Sequence, residues 1–152
     1  MIHTEKRMRI CITLLICNLV FIWGNSLLPG EISGRLSDWV KEILSVFLPD
    51  MGMEHTGRGL LRKIAHFTEF AALGALLSWL FGMLQKGKGY PFVCGAAAAC
   101  IDEAIQMFVP DRGPAVRDVL IDCSGVVTGM ILLFLGHTWI RKKFMNDNSE
   151  ET

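Results

Sequence analysis

The sequence predicts an all-α protein: a four-helix transmembrane bundle with an amphipathic interfacial helix between its first and second spanning helices. Three observations carry this prediction. The chain has 152 residues, of which 51% are hydrophobic, and its length suits one domain over residues 1–152. Charge-free stretches cover residues 10–30, 70–85 and 123–140. Residues 33–48 instead carry apolar side chains at the spacing of one helix face.

The spanning helices are predicted near residues 9–28, 62–84, 90–109 and 117–139. A spanning helix needs about 20 largely apolar residues, and the last three segments reach this length only if acidic residues form their polar ends. The first segment could instead be a signal peptide, because Lys6, Arg7 and Arg9 form a basic n-region. Its apolar run is longer than usual, and no A-x-A cleavage pattern follows it, so a retained membrane helix is favoured.

The interfacial helix is predicted from one apolar face: Leu36, Trp39, Val40, Ile43, Leu44 and Phe47. Ser33 or Ser37 could cap its N-terminus. A helix of this kind lies in the membrane interface or packs against the bundle, and the two arrangements are compatible. Residues 51–59 are rich in glycine and predict a flexible loop.

The basic residues predict the orientation. If the chain crosses the membrane four times, one group falls on a single side: Lys6, Arg7, Arg9, Lys86, Lys88, Arg141, Lys142 and Lys143. Cytoplasmic segments carry the excess of Lys and Arg, so both termini are expected in the cytoplasm. Residues 29–61 and 110–116 are then expected outside.

Ionisable residues interrupt the apolar spans, where a charge at the centre of the membrane costs roughly 2.5–3.5 kcal/mol. On the second span, Arg62, His66 and Glu69 share one helix face. The third and fourth spans combine acidic residues with small or polar neighbours on one face: Gly95, Ala99, Asp102 and Gln106, then Asp118, Asp122, Gly125 and Gly129, the last two in a GxxxG pattern. The topology puts all of these at the outer membrane depth, so we expect one polar cluster, together with Glu103 and Arg117.

These residues have other interpretations. They could form a structural network that is needed for folding and is chemically inert, and Asp111, Arg112, Arg117 and Asp118 could be solvated loop charges. Intramembrane ionisable residues are functional candidates by default, so a functional site is favoured. The balance of 15 basic and 15 acidic residues gives no indication of a nucleic-acid partner.

The cysteines lie inside apolar runs and form no C-x-x-C motif. They are therefore expected to be small buried hydrophobes rather than zinc ligands or disulfide partners. They are Cys11, Cys17, Cys94, Cys100 and Cys123.

Taken in order, the polar segments resemble the VanZ-like family of small bacterial membrane proteins. The matching residues are Ser26, Pro29, Gly30, Ser33 and Ser37, then Arg62, Lys63, His66, Glu69 and Phe70, then Asp102, Glu103, Gln106, Phe108, Pro110 and Arg112, then Arg117, Asp118, Asp122 and Gly125. The sequence departs from the family pattern at Asn25, where Ser is more usual, at Phe70, where Tyr is common, and at Asp111, where Gly normally precedes the arginine.

The resemblance implies a four-helix protein of the bacterial cell membrane. The family's namesake is associated with resistance to teicoplanin, a lipid-bearing glycopeptide antibiotic that acts outside the membrane on cell-wall precursors. An outward-facing polar site would lie at the correct membrane face for such a role. The resemblance does not supply a reaction.

Two functions are therefore expected as alternatives. In the first, the protein binds a lipoglycopeptide or a lipid-linked envelope precursor at the outer leaflet, among membrane lipids. Its arginines would hold phosphate or carboxylate, and the ligand-binding candidates are Arg62, Gln106, Arg112, Arg117, Asp118 and Asp122. In the second, it is an intramembrane enzyme acting on a lipid-linked head group.

The enzyme alternative assigns catalytic roles to one set of residues. His66 or Glu69 would be the general base, and the adjacent Asp102 and Glu103 would supply an acid or a metal ligand. The sequence leaves open whether the protein is an enzyme and whether it uses a divalent metal. A small transporter is the least favoured interpretation, because the cytoplasmic half carries no matching polar track.

Overall fold

The computed structural model describes residues 2–47, 58–113 and 115–150, and within them the chain forms five α-helices and no strand. The helices are α1 (Ile2–Ser26), α2 (Gly30–Phe47), α3 (Arg58–Met83), α4 (Tyr90–Gln106) and α5 (Val116–Glu150). The all-α prediction is confirmed. The predicted flexible loop lies outside the described residues from 51 to 57, and its last glycine, Gly59, belongs to α3.

Three helices are long and apolar enough to cross a membrane, judged by length and composition: α1, α3 and α5, over Thr4–Ser26, Gly59–Met83 and Val116–Lys143. Helix α4 has 17 residues and is therefore about 25 Å long, somewhat less than the ~30 Å hydrocarbon core. Helix α5 continues well past the predicted end at residue 139, because no proline or glycine follows Gly136 to break it.

Helix α2 begins earlier than its sequence pattern predicts. Pro29 ends α1 and at the same time provides the first carbonyl of α2, which accepts a hydrogen bond from the Ser33 amide at 3.0 Å. Ser33 and Ser37 therefore lie inside the helix, and the expectation that either one caps it is wrong. The Ser37 hydroxyl instead donates to the Ser33 carbonyl at 2.9 Å.

The core is built from small, aliphatic and aromatic residues of α1, α3, α4 and α5. Its members are Ile22, Phe70, Leu73, Leu77, Ala98, Ala99 and Val126. Helices α3 and α5 approach most closely at the GxxxG pair. A Cβ added to Gly125 would lie 2.5 Å from the Phe67 carbonyl oxygen, and one added to Gly129 would overlap the Ala71 carbonyl. The small residues thus let two backbones touch, as the pattern predicts.

Helix α2 lies outside this core, against α3 and the α4–α5 loop. The Gly30 amide donates to the Pro110 carbonyl at 3.3 Å. The expected apolar face is present, and Leu36, Trp39, Val40 and Ile43 are all exposed on it. The side chains of Leu44 and Phe47 lie outside the described residues. An exposed apolar row on an otherwise polar helix is typical of helices that lie in a membrane interface.

The cysteines are free, as expected, but only Cys11 is fully buried. Cys17, Cys94 and Cys100 are exposed on outward helix faces, and Cys123 is half-buried. The expectation of burial is therefore wrong for Cys17, Cys94 and Cys100. An apolar run in a small bundle presents most of its residues outward rather than to the core.

The α3–α5 contact generates a stability prediction. Gly129→Ala should lower the unfolding free energy of the detergent-solubilised protein by roughly 1–3 kcal/mol, because the new methyl group forces two backbones apart. Gly136→Ala is the matched control on the same helix, since nothing lies within 4 Å of a Cβ added there. The measurement is thermal unfolding of both variants. Equal stability of the two would contradict the close approach.

Candidate functional site

Four helix ends meet at one end of the bundle. The C-termini of α1 and α4 and the N-termini of α3 and α5 run in alternating directions, so residues distant in sequence come together there. Ser26 of α1 and Asp102 of α4 are in direct contact, and both are fully buried. His66 of α3 and Asp122 of α5 lie beside them.

His66, Asp102 and Asp122 form the centre of the site. The His66 Nδ1 lies 3.7 Å from Asp102 Oδ2 and 4.0 Å from Asp122 Oδ1. The three side chains are 12%, 0% and 1% exposed. These separations are longer than hydrogen bonds, so the groups surround a small gap rather than bonding to one another.

Several buried side-chain atoms of these three residues have no hydrogen-bond partner among the described residues. They are His66 Nδ1, Asp102 Oδ1, and both carboxylate oxygens of Asp122. One potential metal-ligand atom from each of the three residues lies within 4.8 Å of the others. The arrangement can therefore hold a cation, a water molecule or a shared proton.

A hydrogen-bonded triangle holds Asp102 in place. Its Oδ2 accepts hydrogen bonds from the Ser26 hydroxyl and from Gln106 Nε2, both at 2.8 Å. The Gln106 amide also lies 3.3 Å from the Ser26 hydroxyl oxygen. Because Ser26 belongs to α1 and the other two residues to α4, the triangle also joins these helices.

The other two acidic candidates face neighbouring elements. Glu69 accepts a hydrogen bond from Asn25 Nδ2 at 2.9 Å, and its second oxygen has no partner in the described chain. Glu103 accepts a hydrogen bond from the backbone amide of Ala115 at 2.8 Å. This amide directly precedes α5, so Glu103 places a carboxylate at the positive end of that helix.

Arg112 binds the C-terminus of α1. Its two terminal nitrogens donate to the backbone carbonyls of Ser26 and Asn25, each at 3.2 Å. Both carbonyls belong to the last turn of α1, where intrahelical donors are lacking, and the Asn25 carbonyl also accepts a hydrogen bond from the Leu28 amide at 3.2 Å. Burial, followed by the nearby Arg62 guanidinium, lowers the pKa of Arg112 from its usual value. Its ligand-binding role stays a prediction, and the structure gives both terminal nitrogens a structural task.

The remaining basic candidates differ in placement. Arg62 lies at the edge of the cluster, with Nη2 3.7 Å from Asp118 Oδ2, and both side chains are partly exposed. Arg117 is exposed and takes part in no hydrogen bond or ion pair with the described part of the chain. The structure therefore brings together the candidates from α3, α4 and α5 except for Arg117, which is exposed.

Two cavities adjoin the site, and Arg62 lines both. The smaller, about 10 Å³, lies against the buried cluster beside His66, Gln106 and Asp122, and has room for about one water molecule. The larger is an open groove of about 370 Å³ between α2 and the start of α3. Its lining is Gly30, Glu31, Ser33, Gly34, Arg35, Ser37, Gly59 and Arg62.

The sequence interpretation did not place Asn25 or Ser26 in the site. Both interact directly with candidate carboxylates, of Glu69 and Asp102 respectively. The available signal was an amide and a hydroxyl side by side at the end of an otherwise apolar span. Such groups need buried partners, and the acidic residues of α3 and α4 provide them.

One family model matches the chain. It is described as VanZ/LLP1 and covers residues 11–137, which include every residue of the cluster. The match agrees with the resemblance found in the polar segments. No curated protein and no solved structure is detectably similar to the chain.

The contacts of Arg112 predict a difference between two arginines. Arg112→Ala should lower the unfolding free energy by roughly 1.5–3 kcal/mol, because it leaves two helix-terminal carbonyls without their charged donor. Arg117→Ala should change it by less than about 0.5 kcal/mol, as is usual for an exposed side chain. Thermal or denaturant unfolding in detergent measures both. A larger loss for Arg117→Ala would overturn this assignment.

Proposed function

The chain belongs to the VanZ/LLP1 family, and on that premise we propose that it binds the polar head of a lipid-bearing molecule at the outer face of the bacterial cell membrane. The binding site is the groove between α2 and α3. The observation that carries the proposal is this groove of about 370 Å³ beside the exposed apolar face of α2.

The groove has the size and charge for an anionic head group. Ligand pockets commonly measure about 300–1,000 Å³. Arg35 is paired with Glu31 at 2.9 Å, which leaves Arg62 as the remaining charge of the lining. The 3.7 Å between Arg62 and Asp118 exceeds the length of a strong charge-assisted hydrogen bond. Arg62 can therefore turn its guanidinium to a phosphate or carboxylate in the groove.

The apolar face of α2 would contact the acyl chain of the bound molecule. Ile32, Leu36 and Trp39 are each at least half exposed. An amphipathic helix buries such a face at the boundary between head groups and acyl chains. An amphiphile in the groove would thus meet a polar lining at its head and apolar side chains along its tail.

The proposal includes a membrane arrangement. Helices α1, α3, α4 and α5 are the four spans, and α2 lies in the outer interface. Helix α4 packs against α1, α3 and α5, and the loop after Gln106 extends its reach toward the interface. With the basic residues near both termini and at Lys86 and Lys88 in the cytoplasm, the groove and the buried cluster lie at the outer face.

The ligand class follows from the family association. Teicoplanin carries an acyl chain and acts on cell-wall precursors outside the membrane, and lipid-linked envelope precursors combine a lipid with an anionic head. Binding of either at the outer leaflet would reduce the damage that the drug causes. The proposed role is therefore glycopeptide tolerance by binding or shielding.

One observation favours a second function, an enzyme acting on a lipid-linked head group. His66 Nδ1 and Glu69 Oε2 have no hydrogen-bond partner in the described residues, and His66 lines the same small cavity as Arg62, so His66 could transfer a proton next to a bound anion with Glu69 one turn further along α3. Purified protein incubated with a lipid-linked precursor, with and without divalent metal, separates the two functions. Product formation that needs His66 and Glu69 establishes the enzyme.

The orientation can be tested with single cysteines in a background that lacks the native five. Glu31→Cys in α2 should react with a membrane-impermeant thiol reagent added to intact cells, and Lys88→Cys should react only after the membrane is permeabilised. Both native side chains are exposed, so access to the reagent depends on the side of the membrane. The reverse labelling pattern would refute the orientation.

The binding function predicts paired effects on drug tolerance. Expression in a susceptible bacterium should raise tolerance to teicoplanin more than to a glycopeptide without the lipid. Arg62→Gln and Trp39→Ala should abolish this gain at unchanged protein abundance, since they remove the anion contact and the largest apolar contact.

Matched controls lie elsewhere in the chain. Arg141→Gln and Trp139→Ala alter an exposed arginine and an exposed tryptophan of α5 and should leave tolerance unchanged. Equal protection against both drugs would reject lipid recognition, and no protection by the unmutated protein would reject the tolerance role.

A further inference from the structure

The buried cluster has a feature that amphiphile binding does not use. Asp122 is 1% exposed, yet neither of its carboxylate oxygens has a hydrogen-bond partner among the described residues. Asp102 Oδ1 and His66 Nδ1 share this condition. Buried polar atoms are almost always paired, so four unpaired atoms on three adjacent side chains indicate a missing partner.

We propose that His66, Asp102 and Asp122 bind one divalent transition-metal ion between α3, α4 and α5, with Zn²⁺ preferred. The three ligands come from three different helices, and the ion completes their coordination. This inference does not depend on the groove or on any amphiphile.

The donor set fits such an ion. One imidazole nitrogen and two carboxylate oxygens are common ligands of zinc and its first-row neighbours, whereas Mg²⁺ and Ca²⁺ prefer oxygen alone. Three protein ligands are typical of a zinc site that keeps a fourth position for water or a substrate. The cavity of about 10 Å³ next to His66 and Asp122 has room for one such water molecule.

The distances are close to those that a bound ion requires. Tetrahedral bonds of about 2.0–2.1 Å place neighbouring ligand atoms roughly 3.3 Å apart. The observed separations from His66 Nδ1 are 3.7 Å to Asp102 Oδ2, which also accepts the Ser26 and Gln106 hydrogen bonds, and 4.0 Å to Asp122 Oδ1. Side-chain rotations that shorten these two separations by about 0.4 and 0.7 Å would bring the ligand atoms to the spacing around one ion.

The charges also favour a cation over a water molecule. Arg112 is bound to the α1 carbonyls and Arg62 lies toward Asp118, so neither guanidinium is hydrogen-bonded to Asp102 or Asp122. A water molecule donates only two hydrogen bonds and cannot satisfy all of the unpaired oxygen atoms of Asp102 and Asp122. A divalent ion satisfies the unpaired atoms and offsets the charge, which buried carboxylates require.

The test is metal binding by the purified full chain in detergent. The protein should carry no polyhistidine tag, and its five cysteines should be replaced by serine or alanine, because thiolates also bind zinc. After treatment with a chelator and dialysis, Zn²⁺ is added and metal content is measured by mass spectrometry. We expect about one ion per chain and a thermal unfolding temperature that rises with Zn²⁺ concentration.

Two variants localise the site. Asp122→Asn and His66→Gln should each reduce binding at least tenfold, because each removes one ligand while keeping side-chain size. Asp118→Asn is the matched control, since Asp118 borders the same cavity but is not one of the three ligands. It should retain about one ion per chain.

Spectroscopy of the protein with His66, Asp102 and Asp122 intact provides a second test, which does not require the ligand variants to fold. Cu²⁺ bound in place of Zn²⁺ should show electron paramagnetic resonance coupling to a single nitrogen, that of His66. Metal content below about one tenth of an ion per chain would overturn the proposal, as would coupling to several nitrogens or binding that survives Asp122→Asn. Mg²⁺ binding in preference to Zn²⁺ would also reject it.

Discussion

The structure depends on one constraint: two carboxylates, Asp102 and Asp122, are fully buried at the end of an apolar bundle. Carboxylates in such surroundings must be given partners by the protein. Ser26 and Gln106 donate to Asp102, and His66 lies between the two acids. The groups around Asp102 come from α1, α3 and α4, so burial of this acid constrains how those helices assemble, whereas Asp122 of α5 has no hydrogen-bond partner among the described residues.

Close helix packing is the second requirement. The polar side chains are short, so they reach one another only because the backbones of α3 and α5 touch at Gly125 and Gly129. Glu103 and Arg112 then secure the helix ends around the cluster, one at the start of α5 and the other at the end of α1. Arg62 lines both the buried cavity and the open groove, and it connects the cluster electrostatically with the surface that we propose for head-group binding.

Much of the architecture was predictable because it follows from local patterns. Charge-free runs predicted the long helices, and the spacing of Leu36, Trp39 and Val40 predicted an amphipathic helix at α2. The order of the polar segments indicated the family. The candidate faces of α3, α4 and α5 were also predictable, because helical periodicity places Asp102 with Gln106 and Asp118 with Asp122. Sequence patterns could not give the start of α2, which Pro29 moved one turn earlier, or the length of α5.

Sequence alone therefore determined that the chain is helical, that it carries apolar helices long enough to span a membrane, and that its polar residues recur on single helix faces, since these properties depend only on near neighbours. Tertiary structure decided which polar residues face one another. In the tertiary structure Arg112 binds the C-terminus of α1, and Glu103 binds the amide that precedes α5. Arg117 is exposed, and Asn25 and Ser26 contact the acidic residues of the site. These outcomes depend on how four helices cross and on which buried groups find donors, and neither is encoded within any single segment.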